Sequence, residues 1–138
     1  MDWKLEVVVV PVADVDRAKE FYADRLGFVV DTDFRPNDDF RVVQVTPPGS
    51  ACSIVFGKGM GDGEPGTVKG NHLVVTDIQE AHTHLEKAGI ANGGVQHFGP
   101  EGLTDGPHPE DLDYGSYVFF DDPDGNTWAV QQVRKPAR

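Results

Sequence analysis

The stretch "VVPVADVDRAKEFYADRLGF", Val9–Phe28, decides how the rest of the chain is read. It opens on β-branched residues that suit a strand running over about Lys4–Val12. Asp14 then stands at the position of a helix N-cap, where a short carboxylate can accept from the first free backbone N–H groups. Val15, Ala18, Phe21, Tyr22 and Leu26 follow at spacings that put them on one helical face. Gly27 is the stop signal.

The same plan returns in "HLVVTDIQEAHTHLEKAGI", His72–Ile90. Asp77 takes the place of Asp14, Ile78 of Val15, Ala81 of Ala18 and Gly89 of Gly27. An internal repeat of this size means that one supersecondary unit is used twice. Strands are expected after the first helix at Phe28–Phe34, Phe40–Thr46 and Cys52–Gly57, with the turn-rich "RPNDD" and "PPGSA" between them. Three more are expected at Gly94–Phe98, Tyr114–Asp121 and Asn126–Val133. The expected fold is α+β, a single domain over residues 1–138 made of two βαβββ modules at 4–57 and 69–133. A Gly-rich linker, 57–71, joins them, and it lacks the GxxxxGK[ST] pattern of a phosphate-binding loop. The second module carries an insertion at 99–115, rich in proline and acids, that reads as a lid over a site.

Composition excludes several classes of function. The net charge is −11, so nucleic acid is not expected as a partner. The same charge, concentrated in a cleft, would favour a cationic ligand. There is no apolar run of membrane-spanning length and no signal-peptide plan at the N-terminus, and a cytoplasmic location is expected. Cys52 is the only cysteine, which rules out an internal disulfide and a multi-cysteine zinc site. Within "ACSIVFG" it reads as a buried structural thiol.

A third signature lies near the end, in "FFDDPDGNTW". Together with the two repeated stretches it resembles the vicinal oxygen chelate superfamily, which includes glyoxalase I, extradiol dioxygenases and bleomycin-resistance proteins. The resemblance covers essentially the whole chain. It implies that each module curls its strands into half of an open barrel, that the concave faces line a pocket, and that two copies pair as a homodimer.

The resemblance also implies where a divalent ion would be held in metal-dependent members. The three positions that can be placed through the motifs are seven residues before Asp14, seven before Asp77 and four after Gly125. They carry Val7, Gly70 and Ala129, and none of these has a donor side chain. A fourth, near Ser53–Phe56, offers no good donor either. The expectation is therefore no metal or other cofactor. The one alternative weighed is a displaced ion site on the 97–113 loop, using His97, His108, Glu110 and Asp113.

Strand alternation then nominates the pocket residues. With Ala129 facing inward, Thr127 and Gln131 face inward too. Val7 brings Val9, and Gly70 brings His72. Tyr114 and Tyr117 complete the expected ligand-binding set, and Trp128 should face away into the helix–sheet core. His72 is the candidate for catalysis, as a general base or acid, and equally reads as a hydrogen-bonded structural histidine. Three functions remain open from the residues. One is metal-independent binding of an aromatic or cationic small molecule. Another is a lyase, isomerase or dioxygenase-like enzyme using His72 or a relocated metal. The last is a partner-binding module.

Overall fold

The structure is a computed structural model that describes residues 1–134. The chain divides into two compact units. Unit 1 comprises residues 1–68 together with 122–126, and unit 2 comprises 69–121 and the chain from Thr127 onward. The Asp122–Asn126 turn, written next to the last strand, thus belongs with the first half of the chain.

Unit 1 contains β1 (Val7–Val9), α1 (Val15–Lys19), β2 (Val29–Asn37), β3 (Phe40–Thr46) and β4 (Ser53–Lys58). Its sheet has the order β1-β4-β3-β2, with β1 parallel to β4 and the rest antiparallel. Asp14 caps α1 by accepting from Arg17 N at 3.0 Å. The helix then departs from the regular 3.6-residue period. Residues Glu20–Arg25 form a π-helical segment, and Leu26 N donates to Phe21 O. Phe21 and Tyr22, adjacent in sequence, are both buried. Tyr22 lies against Phe28 and Phe56, with ring centroids 6.1 and 5.6 Å away. Each such aromatic burial is worth roughly 1.5–3 kcal/mol. The ladder of β1 with β4, Val7–Val9, is shorter than the expected strand Lys4–Val12.

Unit 2 contains β5 (Asn71–Val75), α2 (Ile78–Lys87), β6 (Gln96–Gly99), β7 (Gly102–Asp105), β8 (Ser116–Asp121) and β9 (Thr127–Gln132). The sheet order is β5-β9-β8-β6-β7, and β5 is parallel to β9. Removing β7 leaves the same strand plan as unit 1, which is the repeat expressed in three dimensions. Asp77 caps α2 by accepting from Gln79 N and Glu80 N. Trp128 is buried and stacks on Phe120, on the face away from Ala129, as alternation requires.

The insertion at 99–115 is not wholly a loop. Its first part is strand β7, which pairs with β6 and extends the edge of the sheet. The remainder is strapped down. Tyr114 N donates to Gln132 O at 2.8 Å, and Asp111 accepts from Gln132 Nε2 at 3.1 Å. Asp111 also pairs with Arg134, and Asp113 accepts from Arg134 N. These bonds hold Asp111 and Tyr114 at φ 53° and 63°, a region non-glycine residues seldom occupy. The 57–71 segment is likewise tied in place. Its first residues belong to β4, Val68 N donates to Asn126 Oδ1, and Gly70 N donates to Thr127 Oγ1 at 2.6 Å. Gly66 (φ 79°) lies so close to the Asp124 carbonyl that a Cβ would sit 2.2 Å from that oxygen. No described helix is long and apolar enough to cross a membrane.

Candidate functional site

The five-stranded sheet of unit 2 has one face toward α2 and one free of helices. Register decides which residues occupy the free face. Tyr117 opposes Gln131, Phe119 opposes Ala129, and His72 lies beside Ala129 across the parallel ladder. Gln96 opposes Tyr117, so Phe98 also stands on this side. The Phe98 and Tyr117 rings meet edge to face at 5.4 Å, and Tyr117 stacks on Phe119 at 5.4 Å with the planes 10° apart.

A hydrogen-bonded chain crosses the same face. Gln131 Nε2 donates to the Tyr117 hydroxyl at 2.9 Å, and Gln131 Oε1 lies 2.5 Å from His72 Nδ1. Because the amide oxygen can only accept, Nδ1 of His72 carries a proton, and whenever the ring is neutral its Nε2 keeps its lone pair. Gln131 is 7% exposed, whereas Phe98 is 57% exposed. The face therefore runs from a buried polar floor to an open aromatic rim. That is the make-up of many small-molecule sites, where a few polar groups orient an apolar ligand.

Seven of the nine nominated residues, Gly70, His72, Tyr114, Tyr117, Thr127, Ala129 and Gln131, belong to unit 2. His72, Tyr117 and Gln131 are joined directly by hydrogen bonds. Thr127 is committed to Gly70 N and holds the approach to β5. Tyr114 is 46% exposed on the strap and takes no part in the His72–Gln131–Tyr117 chain. Val7 and Val9 lie in unit 1, on the sheet face opposite α1, where Val7 pairs with Ser53 and Val9 with Val55. Phe98 and Phe119 were not assigned a face from the sequence. For Phe119 the signal was there, two residues from Tyr117 on one strand. For Phe98 it required the β6–β8 register.

The positions implied for a metal do not form a donor set. Val7, Gly70 and Ala129 supply none, and His72 is engaged by Gln131. On the 97–113 loop, His97 Nδ1 bonds to Gly106 O and His108 Nδ1 accepts from Glu110 N. Among the described residues no group of three or more His, Cys, Asp or Glu is placed to hold a metal ion.

The repeated βαβββ plan and the Asp122–Asn126 turn define a class. Residues 4–130 match the Glyoxalase/Bleomycin resistance protein/Dioxygenase superfamily, and the chain belongs to it. The fold is similar to that of TnmS3, an antibiotic binding protein from Streptomyces sp. CB03234, with a TM-score of 0.73 and 29% identity over 95% of this chain and 96% of that one. It is also similar to a member of the superfamily from Sphaerobacter thermophilus DSM 20745, with a TM-score of 0.73 and 25% identity over 96% and 98% of the two chains. The protein YetH of Bacillus subtilis (strain 168) is 25% identical over 94% of this chain and 98% of its own length.

Proposed function

We propose that this chain is a metal-independent binding protein for a small aromatic compound, held on the free face of the unit 2 sheet. The observation that carries this reading is Gln131, a buried amide that bridges His72 and Tyr117 beside the Phe98–Tyr117–Phe119 run. Stacked aromatic side chains favour a planar ligand, and the polar chain would orient its oxygen or nitrogen atoms. The similarity to an antibiotic binding protein supports sequestration as the biological role. The acidic surface extends the choice to aromatic compounds bearing a positive charge. A homodimer acting in the cytoplasm completes the proposal.

The test is a titration with a panel of polycyclic aromatic natural products, followed by NMR shift mapping and by chelator treatment. Binding that maps to Phe98, Tyr117, Phe119 and His72, and survives the chelator, is expected. Shifts that map elsewhere, or affinity lost with the chelator, would overturn the reading. Light scattering at working concentration tests the dimer.

One observation favours a second reading. Neutral His72 with its proton on Nδ1 presents an unprotonated Nε2 that can act as a general base toward a bound carbon acid. Such an enzyme would be a lyase or isomerase. Deuterium exchange into a bound substrate, abolished in His72→Ala, would establish it.

A further inference from the structure

We propose that unit 1 carries a site for a protonated amine, formed by Asp31, Thr46 and Ser53. All three residues belong to unit 1.

The placement of Asp31 begins with a β-bulge. Val30 pairs with Val45 and Thr32 with Gln44, so Asp31 is an extra residue in β2. In a regular strand Asp31 would share the helix-side face with Asp33, which pairs with Val43. The bulge turns it instead to the opposite face, where it meets Thr46. Bulges re-aim single side chains in this way and concentrate near functional sites.

The hydrogen bonds then have only one possible direction. The Asp31 carboxylate only accepts, so the Thr46 hydroxyl donates to Asp31 Oδ2. Thr46 has one proton, so Ser53 Oγ, 2.6 Å from Thr46 Oγ1, must donate to it. Both hydroxyl protons are spent toward Asp31. What the cluster offers outward is acceptors only, from the second carboxylate oxygen and the remaining hydroxyl lone pairs. A primary ammonium is the complement, with three donors, no acceptor and a positive charge.

Among the described residues no cation pairs with Asp31. The nearby cations are committed on the helix side, where Lys19 and Arg41 bind Asp33 and Arg41 also binds Asp16. Ser53 pairs with Val7, and Val9 stands two residues along on the same face with 38% of its surface exposed. The expected ligand class is therefore an amine on an apolar body. One carboxylate with two neutral hydroxyls is a poor match for a divalent metal, which takes more charged oxygen donors.

The test uses the full chain and three probes of one length at fixed ionic strength, hexylammonium, hexanol and hexanoate, followed by amide shifts in NMR. Hexylammonium is expected to shift Asp31, Thr46 and Ser53 and to bind at least about tenfold more tightly than hexanol. Asp31→Asn should remove that preference. Ser53→Ala should weaken amine binding even if the Asn variant folds poorly. Equal binding of hexanol, shifts confined to other residues, amine binding retained in Asp31→Asn, or calcium saturating the same amides at lower concentration than the amine would each overturn the proposal.

Discussion

Gln131 Oε1 lies 2.5 Å from His72 Nδ1, and the same amide donates through Nε2 to Tyr117 at 2.9 Å. One buried side chain therefore sets both the tautomer of the imidazole and the direction in which the tyrosine proton points. With its oxygen occupied by Gln131 Nε2, the Tyr117 hydroxyl is free to donate to a bound molecule. Gln131→Leu should release both groups while filling nearly the same volume. The expected outcome is loss of the Nδ1–H tautomer of His72 in 15N NMR, and a fall of about tenfold in affinity for an aromatic ligand that accepts a hydrogen bond. An unchanged tautomer would show that the amide does not govern the ring.

The next residue along tests whether neighbouring glutamines do separate work. Gln132 is 3% exposed and points the other way. Its Oε1 accepts from Ile78 N at the start of α2, and its Nε2 donates to Asp111 on the strap. Gln132→Ala leaves a buried N–H unsatisfied and should cost about 1–3 kcal/mol. It should also loosen the segment around Asp111 and Tyr114, whose left-handed backbone needs such support. Hydrogen exchange should quicken there, with the His72 tautomer unmoved. A variant that instead disturbs His72 would mean that the two faces of β9 are coupled.

How much of this was legible beforehand follows from which forces are local. The helix starts were legible because Asp14 and Asp77 accept from backbone groups two and three residues away. The single face shared by Thr127, Ala129 and Gln131 was legible because alternation is a property of one strand. The contact of Gln131 with His72 was not, since it depends on β5 lying beside β9, 59 residues apart. Strand β7 was missed for a different reason. In "GLTD" only Leu103 is apolar, all four residues are exposed, and the strand exists through its backbone pairing with β6. The bulge at Asp31 has no signature in its own side chains either. The π-helical segment after Lys19 was hidden by a pattern that looks regular until the aromatic pair Phe21–Tyr22 must be buried together.

Asp33 gives the fold of unit 1 a defined acid sensitivity. It accepts from Arg41 Nε and Nη2 at 3.0 and 2.9 Å, and from Lys19 Nζ at 2.8 Å. Arg41, and then Lys19, hold its carboxyl well below the usual carboxylate range. A depressed folded-state value means that the stabilisation is fully present above the unfolded-state range and is lost as pH falls toward the folded value. Solvent reaches the cluster, so the contribution is modest. Urea denaturation of Asp33→Asn against the parent should show a deficit at neutral pH that narrows by roughly pH 2.5. A deficit constant across that window would mean that Asp33 acts through neutral hydrogen bonds alone.

The Asp122–Asn126 turn is held by a connected set of side-chain hydrogen bonds. Asn126 is fully buried, and all of its amide is used. Nδ2 donates to Pro11 O at 2.9 Å and to Asp122 Oδ2 at 2.8 Å, while Oδ1 accepts from Val68 N at 3.1 Å. Asp122 in turn accepts from the Tyr22 hydroxyl at 2.7 Å and from the backbone of Asp124 and Asn126. The turn thus clamps β1's exit, the helix and the 57–71 segment to one point. Asn126→Ala should cost about 1–3 kcal/mol for each buried group left unpaired, among them Val68 N–H and Pro11 C=O. Asn126→Asp keeps the acceptor for Val68 but sets a second carboxylate against Asp122. Like charges at that distance should make it the worse variant at neutral pH, and protonation should restore part of the loss as the pH falls. Urea midpoints of the two variants at neutral and mildly acidic pH decide the matter. If Asn126→Asp is as stable as the parent at neutral pH, the turn is held by shape and not by this hydrogen-bond pattern.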